Sequence, residues 1–284
     1  MVGDIFGKTK AMQPTTITNK LLQQYPLTAE QIDFYRINGF IKLKHVLDEE
    51  TLLYFNHAIT KRVDLLNTET KPLVERTTYG KAFLQLFNLW REDDTVKQLV
   101  FSKRLAGIAT ELMEVRGVRI YHDQALYKEA GGGITPWHAD QYYWPLQTDK
   151  TVTAWIPLQE TPLQMGPLEF SAGSQQIVSG RELEIGDESE RLITEKLRVT
   201  DFAHVIEPFD LGEVSFHSGW VFHRAGANNS SAMRKVMTII YMDAAMKLKQ
   251  PDNKNQINDW HTWCPGAVVG ETIDTPLNPI VYHQ

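Results

Sequence analysis

The octapeptide Trp137-His138-Ala139-Asp140-Gln141-Tyr142-Tyr143-Trp144 combines a metal-binding pattern with a dense group of aromatic side chains. Side chains two positions apart on a strand point to the same face, so the imidazole of His138 and the carboxylate of Asp140 can reach one metal ion. The Trp and Tyr residues around this pair are typical of a pocket lining. If a second histidine supplies a third ligand, the set is the two-histidine, one-carboxylate triad of non-haem Fe(II) sites.

The segments on either side of the octapeptide favour short β-strands separated by turns. Residues 118–127 form a strand-like run ahead of it, and Gly131-Gly132-Gly133 requires a turn between the two. Further strands are predicted at 151–158, 168–170, 214–217 and 234–242. Short strands preceded by helices favour a mainly β protein with helical decoration, arranged as a jelly roll.

The N-terminal part of the chain is predicted to be largely helical. One helix begins with the capping-box pattern Thr28-Ala29-Glu30-Gln31 and ends at Gly39. A strand at 40–47 follows, then a helix after Asp48, a loop at 64–81 and one or two helices between 95 and 113. We expect an N-terminal tail at 1–26 and a single domain at 27–284, with 181–200 and 250–284 as candidate lids.

Composition and charge limit the classes of partner. The 284 residues are 42% hydrophobic, which is enough for a sizeable core. A net charge of -6 without any Lys/Arg-rich block argues against nucleic acid, and no apolar run approaches the length of a membrane span. The single cysteine, Cys264, fits a reducing compartment. We therefore expect a cytoplasmic monomer or homodimer with a small-molecule substrate.

Two histidines late in the chain are candidates for the third metal ligand. His217 and His223 lie close together, and the residues alone do not decide between them. Arg234 begins the strand that follows. A guanidinium on an apolar strand is costly to bury without an anion, and its fork matches a carboxylate. The alternative is an arginine whose side chain reaches solvent at the strand end.

With these residues in place, the sequence resembles the phytanoyl-CoA dioxygenase family of Fe(II)- and 2-oxoglutarate-dependent oxygenases. The similar stretches begin at Gln31–Leu43 and continue with Trp137–Gln141, Gly166-Pro167-Leu168 and the block from His223 to Arg234. They occur in the order that the family shows, from about Thr28 to the C-terminus. Where family members often carry a small hydroxyl residue, this chain has Ala225, so that contact is expected to be absent or supplied elsewhere.

The resemblance implies a double-stranded β-helix fold with His138, Asp140 and His223 as iron ligands. It implies that Arg234 holds the distal carboxylate of 2-oxoglutarate, with Lys128 and Trp155 as further contacts. The implied enzyme uses molecular oxygen to hydroxylate, or otherwise oxidise, an unactivated carbon of a mid-sized molecule, with release of succinate and carbon dioxide. The candidate pocket residues are Tyr142, Tyr143, Trp144, Trp220, Gln85 and Asn88.

Two other functions stay open at this point. One is a zinc-dependent hydrolase that uses the same three ligands, although the chain lacks the His-rich motifs of such enzymes. The other is a cupin-like binding protein without catalysis. A protein of that kind has no need for both the ligand triad and Arg234, so the site residues favour the oxygenase over fold analogy alone.

Overall fold

The computed structural model describes residues 14–284, which form eight α-helices, eleven β-strands and short 3-10 helices. The α-helices are α1 (Pro14–Leu22), α2 (Ala29–Asn38), α3 (Glu49–Leu66), α4 (Thr78–Ala82), α5 (Asp94–Val100), α6 (Lys103–Met113), α7 (Asp187–Leu197) and α8 (Lys254–Trp263). The 3-10 helices are Leu73–Glu75, Leu89–Arg91, Asp140–Tyr143, Leu163–Met165 and Ser174–Gln176. None of the described helices is both long and apolar enough to span a lipid bilayer.

The strands form two antiparallel sheets. They are β1 (Phe40–Leu43), β2 (Leu84–Phe87), β3 (Gly117–Lys128), β4 (Thr135–His138), β5 (Thr151–Pro157), β6 (Leu168–Ser171), β7 (His204–Ile206), β8 (Val214–Ser218), β9 (His223–Ala225), β10 (Arg234–Asp243) and β11 (Ile280–His283). The larger sheet has the order β1-β8-β5-β10-β3-β11, with β2 also paired to β3, and the smaller sheet has the order β4-β9-β6-β7. This is the jelly roll with helical decoration that the sequence predicts.

The main hydrophobic core lies where helices pack on the larger sheet. Helix α6 begins after Ser102, whose hydroxyl caps the backbone N–H of Leu105, and it contacts β3, β5 and β10. Its apolar side chains recur at helical spacing, so one continuous stripe, including Ile108 and Leu112, is buried in this core. The opposite face of the sheet is thereby left to face the smaller sheet.

A β-bulge at Tyr121 changes which side chains of β3 face the smaller sheet. The register with β10 skips Tyr121, which places two residues of β3 against one step of its partner. Because side chains alternate along a strand, the extra residue reverses the alternation. Ile120 points into the core beneath the helices, whereas His122, Gln124 and Leu126 face the space between the sheets.

Several local predictions are confirmed in detail. The Thr28 hydroxyl accepts a hydrogen bond from the Gln31 backbone, and the Gln31 side chain accepts one from the Thr28 backbone. Helix α2 ends at Gly39, whose φ of 77° is readily available to glycine. The predicted helical region at 95–113 consists of two helices, α5 and α6.

Other elements differ from the prediction. The strand expected at 40–47 ends at Leu43, and His45 adopts a positive φ of 54° that is incompatible with a continuing strand. The region 64–81, expected to be a loop, contains a 3-10 helix and most of α4. Part of the expected tail at 1–26 forms α1, with Ile17 and Leu21 buried in the main core. Residues 1–13 of that tail lie outside the described residues.

Candidate active site

A cavity of about 530 Å³ lies between the two sheets, and the octapeptide forms part of its wall. His138 ends β4 and His223 begins β9, and the two residues are direct partners in the register of these strands. Their ring centroids are 4.2 Å apart. The Oδ1 atom of Asp140 lies 3.4 Å from Nε2 of His138 and 3.6 Å from Nε2 of His223. One ligand atom from each residue lies within 4.8 Å of the others, so the three could hold one metal ion.

Asp140 reaches this position from a 3-10 helix rather than from the expected strand. Strand β4 ends at His138, and the 3-10 helix begins at Asp140. Ala139 between them is extended, with φ -123° and ψ 125°. Because Ala139 is extended, the side chains at positions 138 and 140 still point to the same side and converge, although β4 is shorter than predicted.

Backbone carbonyls fix the orientation of both histidine rings. Nδ1 of His138 lies 2.7 Å from the carbonyl oxygen of Pro136, and Nδ1 of His223 lies 3.0 Å from that of Val221. Since a carbonyl oxygen can only accept, each Nδ1 carries the proton, and the neutral ring presents an Nε2 lone pair to the cluster. Burial holds the pKa of His223 well below its usual range, which favours this neutral form.

The second carboxylate oxygen of Asp140 has its own neighbours. The Thr153 hydroxyl donates a hydrogen bond to Oδ2 over 3.2 Å, and Nε2 of His217 lies 3.4 Å from the same atom. His217 is 2% exposed, its Nε2 faces this carboxylate oxygen, and its Nδ1 has no hydrogen-bond partner within residues 14–284. The structure thus groups His223 with the possible metal-binding atoms and places His217 behind the carboxylate.

Arg234 is a buried cation that forms no ion pair with any residue from 14 to 284. It is 1% exposed, and its Nη1 donates a hydrogen bond to the carbonyl oxygen of Gly166. Its guanidinium carbon lies 5.5 Å from the ring centroid of Trp155, which also lines the cavity. The Nε atom has no hydrogen-bond partner in the described chain, and burial lowers the pKa to about 9. Such a group requires an anion, and a ligand carboxylate fits its fork.

Lys128 does not reach the cavity, contrary to the expectation. Its side chain is fully buried, and Nζ donates to the carbonyl oxygens of Gly133 over 2.6 Å and Gly226 over 2.7 Å. Burial lowers the pKa of Lys128 to about 6, with Arg234 acting in the same direction. The amine therefore ties the glycine turn after β3 to the loop after β9 and does not line the site.

The expected pocket residues divide into two groups. Gln85, Tyr143 and Trp144 line the cavity. The hydroxyl of Tyr142 instead accepts a hydrogen bond from the Asn255 amide over 3.2 Å, because successive residues of a 3-10 helix point in different directions. Trp220 lies beneath the guanidinium of Arg181, 4.4 Å from ring to carbon, outside the wall.

Asn88 is the third expected pocket residue that lies elsewhere. Its φ of 50° ends β2 and starts a 3-10 helix, so its side chain no longer follows the alternation of the strand. The backbone N–H of Asn88 donates to the carbonyl oxygen of Asp123 over 2.9 Å. The residue therefore serves the connection between β2 and the following helix.

Sequence reasoning missed a large part of the cavity wall. Helix α8 supplies Asn258, Asp259 and Trp263, and residues Glu184 and Ile185 come from the other candidate lid. Neither segment carries a recognisable motif. The hydroxyl-bearing Thr135 is another wall residue, and it is the direct partner of Ala225 in the smaller sheet. Thr135 therefore places a hydroxyl directly across from Ala225, where family members often carry a small hydroxyl residue.

Substitution of Gly166 is expected to destabilise the protein more than a comparable substitution elsewhere. Gly166 has a φ of 65°, and a Cβ atom there would overlap the carbonyl oxygen of Gly226. We expect Gly166→Ala to lower the free energy of unfolding by about 3 kcal/mol, a fall in Tm of roughly 6–12 °C. Gly270→Ala is the matched control, since Gly270 has a φ of 87° but open space around the added methyl. Equal thermal shifts for the two variants would contradict the overlap.

The protein is a jelly roll of two facing antiparallel sheets, with a histidine–aspartate–histidine cluster between them that could hold a metal ion. The sequence matches the model of one family, described as phytanoyl-CoA dioxygenase (PhyH), over residues 35–236. The chain belongs to this family. The cluster, Trp155 and Arg234 all fall within the matched region.

Individual relatives are distant. The probable alpha-ketoglutarate-dependent hypophosphite dioxygenase of Stutzerimonas stutzeri is 24% identical over 160 residues, which cover 53% of this chain. The match spans 54% of the relative, about half its length.

Solved structures with the same fold include two proteins of nogalamycin biosynthesis. The non-heme alpha ketoglutarate dependent carbocyclase SnoK is 23% identical with a TM-score of 0.73, over 90% of this chain and 97% of that one. The epimerase SnoN, in complex with Fe3+, alpha ketoglutarate and nogalamycin RO, is 22% identical with a TM-score of 0.70, over 89% and 98% of the two chains. At these identities the likeness establishes the fold alone.

Proposed function

We propose that this chain is an Fe(II)- and 2-oxoglutarate-dependent dioxygenase that hydroxylates, or otherwise oxidises, a mid-sized organic molecule. One observation carries the proposal: a two-histidine, one-carboxylate cluster lines the same cavity as a buried arginine that has no acidic partner among residues 14–284. The cluster leaves three positions of an octahedral iron free. The arginine offers a cation to a dicarboxylate co-substrate, a feature that neither a zinc hydrolase nor a plain binding protein requires.

The roles of the residues follow from their positions. His138, Asp140 and His223 would hold Fe(II), and Arg234 would bind the distal carboxylate of 2-oxoglutarate with Trp155 beneath it. When bound, iron and 2-oxoglutarate would supply the oxidising chemistry with molecular oxygen as the oxidant, one oxygen atom going to the succinate formed by decarboxylation and the other being used to oxidise a substrate carbon.

The protein itself contributes orientation and exclusion of water. The Pro136 and Val221 carbonyls hold the imidazoles, and the Thr153 hydroxyl holds the carboxylate. Tyr143 forms part of the aromatic wall, and its hydroxyl accepts a hydrogen bond from the backbone of Ile185 over 2.8 Å. We propose that 181–200 and 250–284 act as lids, since both segments contribute to this wall.

The test of this function is an anaerobic titration of the metal-free protein with Fe(II) and 2-oxoglutarate. We expect a weak visible charge-transfer band that saturates at one equivalent of each, because chelation of the metal by the keto acid produces it. Zn(II) in place of Fe(II) gives no band and is the control. A wild-type protein that binds iron without the band would exclude the oxygenase and turn attention to zinc content and simple ligand binding.

Loss of the His217 side chain is expected to weaken iron binding although His217 is not among the proposed ligands. Its Nε2 lies beside Oδ2 of Asp140, so it positions the carboxylate whose other oxygen faces the metal. We expect His217→Leu to raise the Kd for Fe(II) by roughly 10- to 100-fold, as is typical of groups that orient ligands.

Rescue separates this positioning role from a general packing role. His217→Gln retains a hydrogen-bond donor and is expected to keep the Kd for Fe(II) within about threefold of wild type. His57→Leu, on the exposed face of α3, is the control and leaves iron binding unchanged. Equal losses in His217→Leu and His217→Gln would show that the residue acts through packing alone.

A further inference from the structure

The cavity has a second polar region away from the candidate iron ligands. His122 and Thr153 are both register partners of Ile240, on the strands to either side of β10. Two steps between neighbouring strands separate them, about 10 Å. Thr153 contacts Asp140, so His122 marks a part of the cavity about one mid-sized molecule away from the metal-binding atoms. Helix α8 covers this part.

Three aromatic rings surround the second region. The ring of Trp263 lies 4.7 Å from that of Phe87 and 4.7 Å from that of His122, centroid to centroid, and all three line the cavity. Burial lowers the pKa of His122 to about 4, so its ring is neutral. Its Nδ1 has no hydrogen-bond partner among the residues that the structure describes. The aromatic rings therefore carry no positive charge of their own.

Asp259 is the acidic group of this region. It lies one helical turn before Trp263 and is 9% exposed, with the Tyr121 hydroxyl donating to Oδ2 over 3.2 Å. No lysine or arginine within residues 14–284 forms an ion pair with it. Burial raises the pKa of Asp259 to about 7, and a cation beside it would favour the ionised form. The carboxyl is thus buried in a cavity wall, and the described part of the chain gives it no positive partner.

The charges of the remaining wall all favour a cation over an anion. Arg234 is the only lysine or arginine that lines the cavity in the described chain, and the proposed function assigns it to the co-substrate. Glu184, the other acid near α8, is largely exposed and lies 3.9 Å from Lys254. Asp140 and Asp259 are the remaining acidic residues of the wall. The space between these carboxylates would repel a carboxylate or phosphate.

We propose that Asp259, together with the rings of Trp263 and Phe87, binds a protonated amine of the substrate. This inference rests on the proposed function, because it names the substrate class of the same site. An ammonium group over aromatic faces gains cation–π attraction, and the carboxylate gives it a charged hydrogen bond. The substrate would therefore be an amine whose apolar body extends from Asp259 toward the proposed iron ligands.

Calorimetric titration of the Fe(II)- and 2-oxoglutarate-loaded protein under anaerobic conditions tests the inference. The probes are cyclohexylmethylamine, cyclohexylmethanol and cyclohexanecarboxylate, which share one apolar body. We expect the amine to bind at least tenfold more tightly than the alcohol, and the carboxylate to bind most weakly. Equal affinities, or a preference for the carboxylate, would overturn the inference.

Variants locate the preference. Asp259→Asn keeps the shape and an acceptor for Tyr121, and it is expected to abolish the amine preference. Trp263→Leu is expected to reduce it about threefold, and the exposed Asp252→Asn near the start of α8 is the control that retains it. An amine that bound the metal instead would keep its preference in Asp259→Asn, which would also overturn the inference.

The same samples distinguish failure of this inference from failure of the proposed function. The charge-transfer band reports on the binding of iron and 2-oxoglutarate. The amine preference is measured by calorimetric titration, which can also be carried out on the metal-free protein. A protein that has the band but no Asp259-dependent preference keeps the function and loses the substrate class. A protein with the preference and no band binds amines without being an oxygenase of this kind.

Discussion

Asp140→Ala is expected to abolish iron binding and turnover while leaving a folded protein. Asp140 is the only anionic member of the ligand cluster, and its Oδ1 lies within 3.6 Å of both ligand imidazoles. Without it, neutral imidazoles alone must hold a dication in a buried site. We expect the Kd for Fe(II) to rise by more than about 100-fold, since loss of a ligand costs more than loss of its supports. Succinate formation should fall to background.

The stability of this variant is part of the prediction. No lysine or arginine of the described chain pairs with Asp140, so the substitution breaks no ion pair with a cationic side chain. The metal-free variant should therefore remain folded and unfold cooperatively on heating, although it loses the hydrogen bond that the Thr153 hydroxyl donates to Asp140. Asp149→Ala, at an exposed position, is the control and should keep normal iron binding. An Asp140→Ala protein that still bound Fe(II) and gave the charge-transfer band would refute the assignment.

Arg234→Met is expected to weaken 2-oxoglutarate binding and to stabilise the protein without ligand. The guanidinium is buried, and within residues 14–284 its Nε has no hydrogen-bond partner and no carboxylate pairs with it, so a ligand anion would compensate its charge. Loss of one partner of a buried charged pair costs several kcal/mol of binding. We expect the Kd for 2-oxoglutarate to rise by about 100-fold and the Tm of the ligand-free variant to equal or exceed that of the wild type.

Thermal unfolding with and without ligand measures both effects together. In wild type, Fe(II) with 2-oxoglutarate at about 100 times its Kd should add about 2.7 kcal/mol to the free energy of unfolding. In Arg234→Met the same concentration should add little. Arg62→Met is the contrasting control. Nε of Arg62 lies 2.8 Å from Oδ2 of Asp93, and this ion pair is not part of the cavity wall. Arg62→Met should lose stability and keep its affinity for 2-oxoglutarate. If Arg234→Met also lost stability and kept this affinity, the proposed role of Arg234 would be wrong.

Elements governed by neighbouring residues could be predicted from the sequence. The capping box at Thr28, the stop at Gly39 and the strand-like run of β10 depend on interactions within a few positions. The same holds for the convergence of His138 and Asp140, which needs only one extended residue between them. The choice of His223 over His217 came from the family resemblance, because both histidines lie within one short stretch and local rules treat them alike.

The missing parts of the cavity depend on contacts between distant segments. Simple alternation along β3 would place His122 on the same face as Ile120, and only the bulge at Tyr121 reverses this. Trp263 reaches the cavity because α8 packs near the 3-10 helix at 140–143, far away in sequence. No pattern within β3 or α8 shows that His122 and Trp263 line the cavity. The sequence therefore predicted Tyr142 and Trp220 as pocket residues and did not predict these two.

Helix α8 lies beyond residue 236, where the match to the family ends, yet it contributes three residues to the cavity wall. The ligand cluster and Arg234 belong to the matched region, so α8 adds its part of the cavity wall from outside that region. Exchange of the 250–284 segment between relatives would alter this part and leave the ligand cluster unchanged. Such a chimaera must retain Asn278, whose side-chain amide donates to the carbonyl oxygens of Ile120 and Tyr121, and strand β11 on the edge of β3.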